Sequence, residues 1–207
     1  MKIDFTKEGL EKQKALVGEF VIHFEDLNDW IRFLIPRIIY KKFDNDLQLR
    51  NINCLTEGLS SDQLRNKFDS LIADNFKDLK KFIKVNQELS TKTAQFTTIR
   101  NSIVHGSYRL GWKNLNGEMN DSSFSLKHSK STKKGFEQRS MIISIENLKE
   151  LNQQLKLISY CYNLIASVRD THWNYENLEQ TEKYVDLLDK EVKKLKKPKL
   201  EHLEILK

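Results

Sequence analysis

The stretch Arg100-Asn101-Ser102-Ile103-Val104-His105-Gly106 puts a guanidinium, an amide and an imidazole within six residues of one another. On a helix, Asn101 and His105 stand four apart and share a face. Arg100 lies roughly 140° round from His105, at about 100° per residue, a gap that its long side chain can bridge to a phosphate. These are the groups needed to cleave RNA without a metal. A base removes the proton from a ribose 2′-hydroxyl, an acid protonates the leaving oxygen, and a cation stabilises the pentavalent phosphorane. Histidine titrates near neutrality and suits either proton transfer. Arginine stays charged and offers several donors to phosphate oxygens. Asparagine can orient the phosphate or fix the imidazole tautomer. Ser102 within the motif and Tyr108 just after it are accessory candidates.

Amphipathic helices must hold these groups in place. Val17, Phe20, Val21, Phe24, Leu27, Ile31, Leu34, Ile35 and Ile38 recur at spacings of three and four, which predicts a long first helix that Pro36 kinks or ends. Residues 41–59 read as a polar connection. Ser60 with Gln63 forms a capping box ahead of a helix carrying Leu64, Phe68, Leu71 and Ile72. From Phe76 a third helical stretch runs on, or restarts near Ser90-Thr91, to reach Ile103, with Gly106 as its stop.

Alternation then replaces helical spacing. Leu110 with Trp112, Phe124 with Leu126, and Met141 with Ile143 and Ile145 predict a small β-hairpin or short strands over about 109–145, with Asn116-Gly117 as a turn. Within this interval, Lys127, Lys130, Lys133, Lys134 and Arg139 stand against Glu137 alone. The segment has a net charge of +4 and reads as a loop able to touch RNA phosphates. Helical spacing returns from Leu148 to Val168 and again in a C-terminal helix of about 175–196, before Pro198 and a short charged tail.

Seven glycines and two prolines among 207 residues, with 31% charged residues, argue for a mainly α protein rather than an all-β one. A formal charge of +6 is compatible with an anionic partner. Cys54 and Cys161 offer neither zinc spacing nor a disulfide framework. No apolar stretch reads as a signal sequence or a membrane span, so a cytoplasmic protein that does not enter the membrane is expected. No cofactor and no metal site are expected. A single domain of residues 1–207 is the simplest organisation.

Arg100-Asn101, three residues and then His105 resemble the motif of the HEPN family (higher eukaryotes and prokaryotes nucleotide-binding), and the helical organisation agrees with it. The resemblance implies a HEPN-like helical bundle and a metal-independent endoribonuclease with Arg100, Asn101 and His105 as its catalytic set. It further implies RNA as substrate, a homodimer with the two motifs facing across a cleft, and a role as a toxin or antiphage effector with an antitoxin or other regulatory protein as partner. Some family members carry a Tyr two positions after the His; here that position is Ser107, and Tyr108 follows it.

Two other readings stand beside the nuclease. In one, the chain is a non-catalytic helical module that binds RNA, a nucleotide or a protein through its lysine-rich segment. In the other, it is a structural interaction protein whose apolar stripes dock on a neighbour. Arg and His near a helix C-terminus also favour the helix dipole without any catalytic role. His23, His128, His172 and His202 read as packing, loop, junction and tail residues.

Overall fold

A computed structural model describes residues 7–41, 46–109, 112–113, 119–120, 123–132, 135–198 and 201–206, with side chains described for 11–41, 48, 50–106 and 143–198. The chain is mainly helical. In order run α1 (Lys7–Ile39), α2 (Asp46–Thr56), α3 (Ser61–Asn75), α4 (Lys80–His105), β1 (Ser107–Arg109), β2 (Trp112–Lys113), β3 (Met119–Asn120), β4 (Ser123–Thr132), β5 (Gly135–Ser144), α5 (Ile145–Trp173), α6 (Leu178–Lys194) and β6 (Glu201–Leu206). No helix among the described residues is long and apolar enough to cross a membrane.

The chain divides into two compact units. One comprises Met1–Ile22, Thr98–Gln153 and Pro198–Lys207, and the other His23–Thr97 and Gln154–Lys197. The second is a helical bundle. Phe24, Leu27, Ile31, Leu34 and Ile38 are buried along α1, as their spacing predicts, and Pro36 lies in its last turn. Arg169 of α5 secures that end of α1, donating from Nε to Arg37 O (3.1 Å) and from Nη2 to Lys41 O (2.7 Å). Late helical carbonyls have no intrahelical partner, and a charged donor supplies one.

The Ser60 capping box forms in full: its hydroxyl accepts from Gln63 N, and the Gln63 side chain accepts from Ser60 N. At the other end of α3, Phe76 is fully buried, stacked on Trp173 at 4.4 Å and set edge-on to Phe82 at 5.0 Å. Lys92 reaches from α4 to the last carbonyls of α6, Val192 O at 2.7 Å and Leu195 O at 3.1 Å.

Asp69 of α3 lies in a buried polar cluster that the sequence does not announce. It accepts from Asn86 Nδ2 (2.8 Å) and Ser90 Oγ (2.5 Å), two α4 residues one turn apart. Burial pushes its carboxyl above the ordinary 3.8, against the opposing pull of both hydrogen bonds and of Arg65. The folded form then holds this proton more tightly than the unfolded chain does. Asp69 therefore costs stability progressively as pH rises through the window that begins near 3.8. Asp69→Asn should gain stability relative to the parent between acid and neutral pH, measured by urea unfolding at a series of pH values. A difference that stays flat with pH would contradict this.

In the first unit, Phe20, Ile99, Ile103, Ile143, Leu148 and Leu151 are buried. Asn152 donates from Nδ2 to Leu16 O (3.1 Å) and Glu19 Oε2 (3.3 Å), holding α5 against the start of α1. The strands lie in this unit. They form an antiparallel sheet of order β1-β4-β5-β6 and a small β2–β3 pair.

Two segments differ from expectation. Residues 46–56 form α2 rather than a connection. Among the described side chains of α2, Ile52 and Thr56 are buried, and the Thr56 hydroxyl bonds back to Ile52 O (3.1 Å). Of the two courses open to the stretch through Ser90-Thr91, α4 takes the continuous one, and the hydroxyls of both residues are hydrogen-bonded. The charged tail contributes β6, whose backbone pairs with β5 whatever its side chains are.

Candidate active site

The last two turns of α4 present the motif. Phe96, Ile99 and Ile103 turn inward and are almost wholly buried. With about 100° between successive residues, that burial leaves Asn101 and His105 on the opposite side of the helix, and both are exposed. Arg100 lies at the flank and is half-buried, and its Nη1 approaches Asn101 Oδ1 at 3.4 Å. Ser102 is half-buried on the other flank and donates its hydroxyl to Thr98 O (3.1 Å), which occupies that proton locally. Val104 is 40% exposed, so apolar surface adjoins the polar face. His105 closes the helix in its last turn.

The arrangement can do two things chemically. Asn101 and His105, one turn apart on an open face, can touch the same ligand. Arg100, with its Nη1 3.4 Å from Asn101 Oδ1, stands at the edge of that face, and a second copy of α4 placed opposite would bring another guanidinium to it. The chain matches no family model, no curated protein and no solved structure.

The other candidates stand elsewhere. Tyr108 belongs to β1, paired with Leu126 in the sheet. Lys127 and Lys130 belong to β4 and Arg139 to β5, so the expected basic loop is largely a strand pair, and the side chains of all four residues lie outside the described ones. Pairing runs unbroken from Ser123↔Ser144 to Thr132↔Gly135. Lys133 and Lys134 lie outside the described residues, as do Leu110 and the Asn116-Gly117 turn.

His172 packs 5.6 Å from Phe76 at the end of α5, with Asp78 3.4 Å from its Nε2. His23 lies 3.6 Å from Asp26. These two line a cavity of about 450 Å³ with Asp29, Trp30, Phe33, Lys156 and Ser159. A second cavity of about 440 Å³ has an apolar wall of Ile35, Ile39, Ile52 and Leu55 facing the α3 residues from Asn66 to Asp74. Helical spacing alone gave no sign of either, since each is formed between helices rather than along one. Among the described residues, no three His, Cys, Asp or Glu side chains gather as a metal site.

Proposed function

We propose that this protein is an endoribonuclease of the HEPN type that cleaves RNA without a metal and acts as a homodimer. The observation that carries the reading is the exposure of Asn101 and His105 on one side of α4 while Ile99 and Ile103 anchor the other. An imidazole on the outer face of an anchored helix is available to substrate and fixed in place, as proton transfer requires.

In this mechanism His105 exchanges the proton of the 2′-hydroxyl or of the leaving 5′-oxygen. Attack of the 2′-oxygen on phosphorus breaks the P–O5′ bond and leaves a 2′,3′-cyclic phosphate and a 5′-hydroxyl. Arg100 stabilises the phosphorane, and Asn101 orients either the phosphate or, through the 3.4 Å contact, the guanidinium. Pairing of two copies through the exposed face of α4 would bring one copy's Arg100 toward the other's His105, which their separation around one helix favours. The resemblance extends the proposal to a cytoplasmic toxin or antiphage effector held in check by an antitoxin or other regulatory protein.

The test is to incubate purified protein with labelled single-stranded RNA in excess EDTA and analyse the fragment ends. Fragments ending in 2′,3′-cyclic phosphate are expected; RNA that stays intact, or 3′-hydroxyl ends, would overturn the proposal.

A further inference from the structure

The cavity among α1, α2 and α3 has two unlike walls. On the apolar one, Ile35 and Ile52 are almost wholly buried and lie deepest, while Ile39 (45% exposed) and Leu55 (73% exposed) stand at the rim. Large aliphatic side chains left open around a concavity gain by being covered. A volume of about 440 Å³ falls within the range of small-molecule sites.

The facing wall is one side of α3, where Asn66 with Lys67, Ser70 with Leu71, and Asp74 recur at spacings of three and four. Most polar groups around the cavity are already engaged. The Thr56 hydroxyl donates to Ile52 O (3.1 Å), and the Ser70 hydroxyl to Asn66 O (3.0 Å). Asp74 has Lys77 Nζ 4.0 Å from its Oδ1. Lys67 differs, being exposed and in no ion pair among the described residues. The side-chain amide of its neighbour Asn66 makes no hydrogen bond among them either.

At 1.5 Å per residue, Lys67 and Asp74 stand about 10 Å apart along α3. The cavity is thus apolar along its length, with an unpaired cation at one end and an offset carboxylate at the other. An ammonium offers three donors and no acceptor, and the Asn66 amide adds two more donors. A ligand carboxylate accepts from both. A ligand ammonium would meet like charge there.

We propose that this cavity binds a medium-chain aliphatic carboxylate, with its chain against Ile35, Ile39, Ile52 and Leu55 and its head at Lys67. The inference goes beyond the nuclease reading and does not depend on it.

Equilibrium dialysis of radiolabelled decanoate, below its micelle-forming concentration and at neutral pH, measures the affinity. Octanoate, octylamine and octanol are compared by competition. Full burial of one CH₂ is worth about fourfold in affinity. Decanoate, two CH₂ groups longer, should therefore bind at least about fourfold tighter than octanoate, and octylamine should bind more weakly than octanoate. Lys67→Gln should weaken decanoate binding by about threefold to fivefold, the upper range for an exposed ion pair, and leave octanol unchanged. Lys183→Gln removes the same charge from α6, away from the cavity, and should bind as its parent does. Leu55→Gln should weaken decanoate by about threefold or more through lost apolar contact. Lys67 and Leu55 are both exposed, so unchanged melting curves are expected for their variants.

Decanoate that does not bind, equal affinities for octanoate and decanoate, or octylamine bound as tightly as octanoate would each overturn the proposal. So would equal losses in Lys67→Gln and Lys183→Gln, which would mean attraction to net charge alone. RNA cleavage in EDTA is a separate readout, so the cavity and the α4 site can fail independently.

Discussion

His105→Ala is expected to lower the rate of RNA cleavage in EDTA by about 10²- to 10⁴-fold, the range a positioned proton-transfer group contributes. Exposure makes the experiment clean. His105 is an exposed side chain in the last turn of α4, so its removal creates no cavity and should leave the circular dichroism spectrum and the melting temperature unchanged. Arg100→Ala should fall by a similar factor through lost stabilisation of the phosphorane. Arg100→Lys should recover only part of that, since lysine brings the charge without the fork. Asn101→Ala should cost less than either, because an orienting amide neither moves the proton nor carries charge. A His105→Ala protein that cuts RNA at the parental rate would remove this residue from the mechanism.

Phe76→Ala is expected to destabilise the helical unit by about 3–5 kcal/mol, the range for truncating a buried phenylalanine. Phe76 is 0% exposed and wedged among Trp173, Phe82 and His172, three rings that cannot all close over the space it leaves. Its backbone is committed too, with its N–H on Ile72 O (3.1 Å) and its carbonyl accepting from Leu79 N (2.9 Å), so the turn between α3 and α4 resists collapse. Urea unfolding followed by tryptophan fluorescence measures the loss, and Trp173 reports directly on the contact. A loss below about 1 kcal/mol would mean that the aromatic cluster repacks, contrary to the usual cost of such a cavity.

The helices were legible where a buried stripe is long and regular. Along α1 the spacing from Phe24 to Ile38 names the very residues that are buried, and Ser60-x-x-Gln63 marks the start of α3 to the residue. Legibility failed where structure rests on partners that no local pattern reveals. Along α2, Gln48, Arg50, Asn51 and Asn53 interrupt any apolar stripe, and Ile52 and Thr56 are buried among the described side chains. Residues 201–206 became β6 because the edge of β5 offers backbone partners, a condition set some sixty residues earlier in the chain. The motif on α4 was readable as a set of chemical groups, and helical phase correctly separated Arg100 from His105. The Asp69 cluster was not readable, because Asp69, Asn86 and Ser90 look like ordinary polar residues until α3 and α4 face one another.

Arg169 has a consequence for how the protein breathes. One side chain on α5 accepts responsibility for the carbonyls of Arg37 and Lys41, so the last turn of the first helix can open only when that guanidinium lets go. The amide of Tyr40, which donates to Pro36 O at 2.9 Å, should thus exchange with deuterium on the timescale of α5 loosening rather than at the fast pace of a fraying terminus. Arg169→Lys, conservative in charge, would uncouple the two and let that amide exchange early.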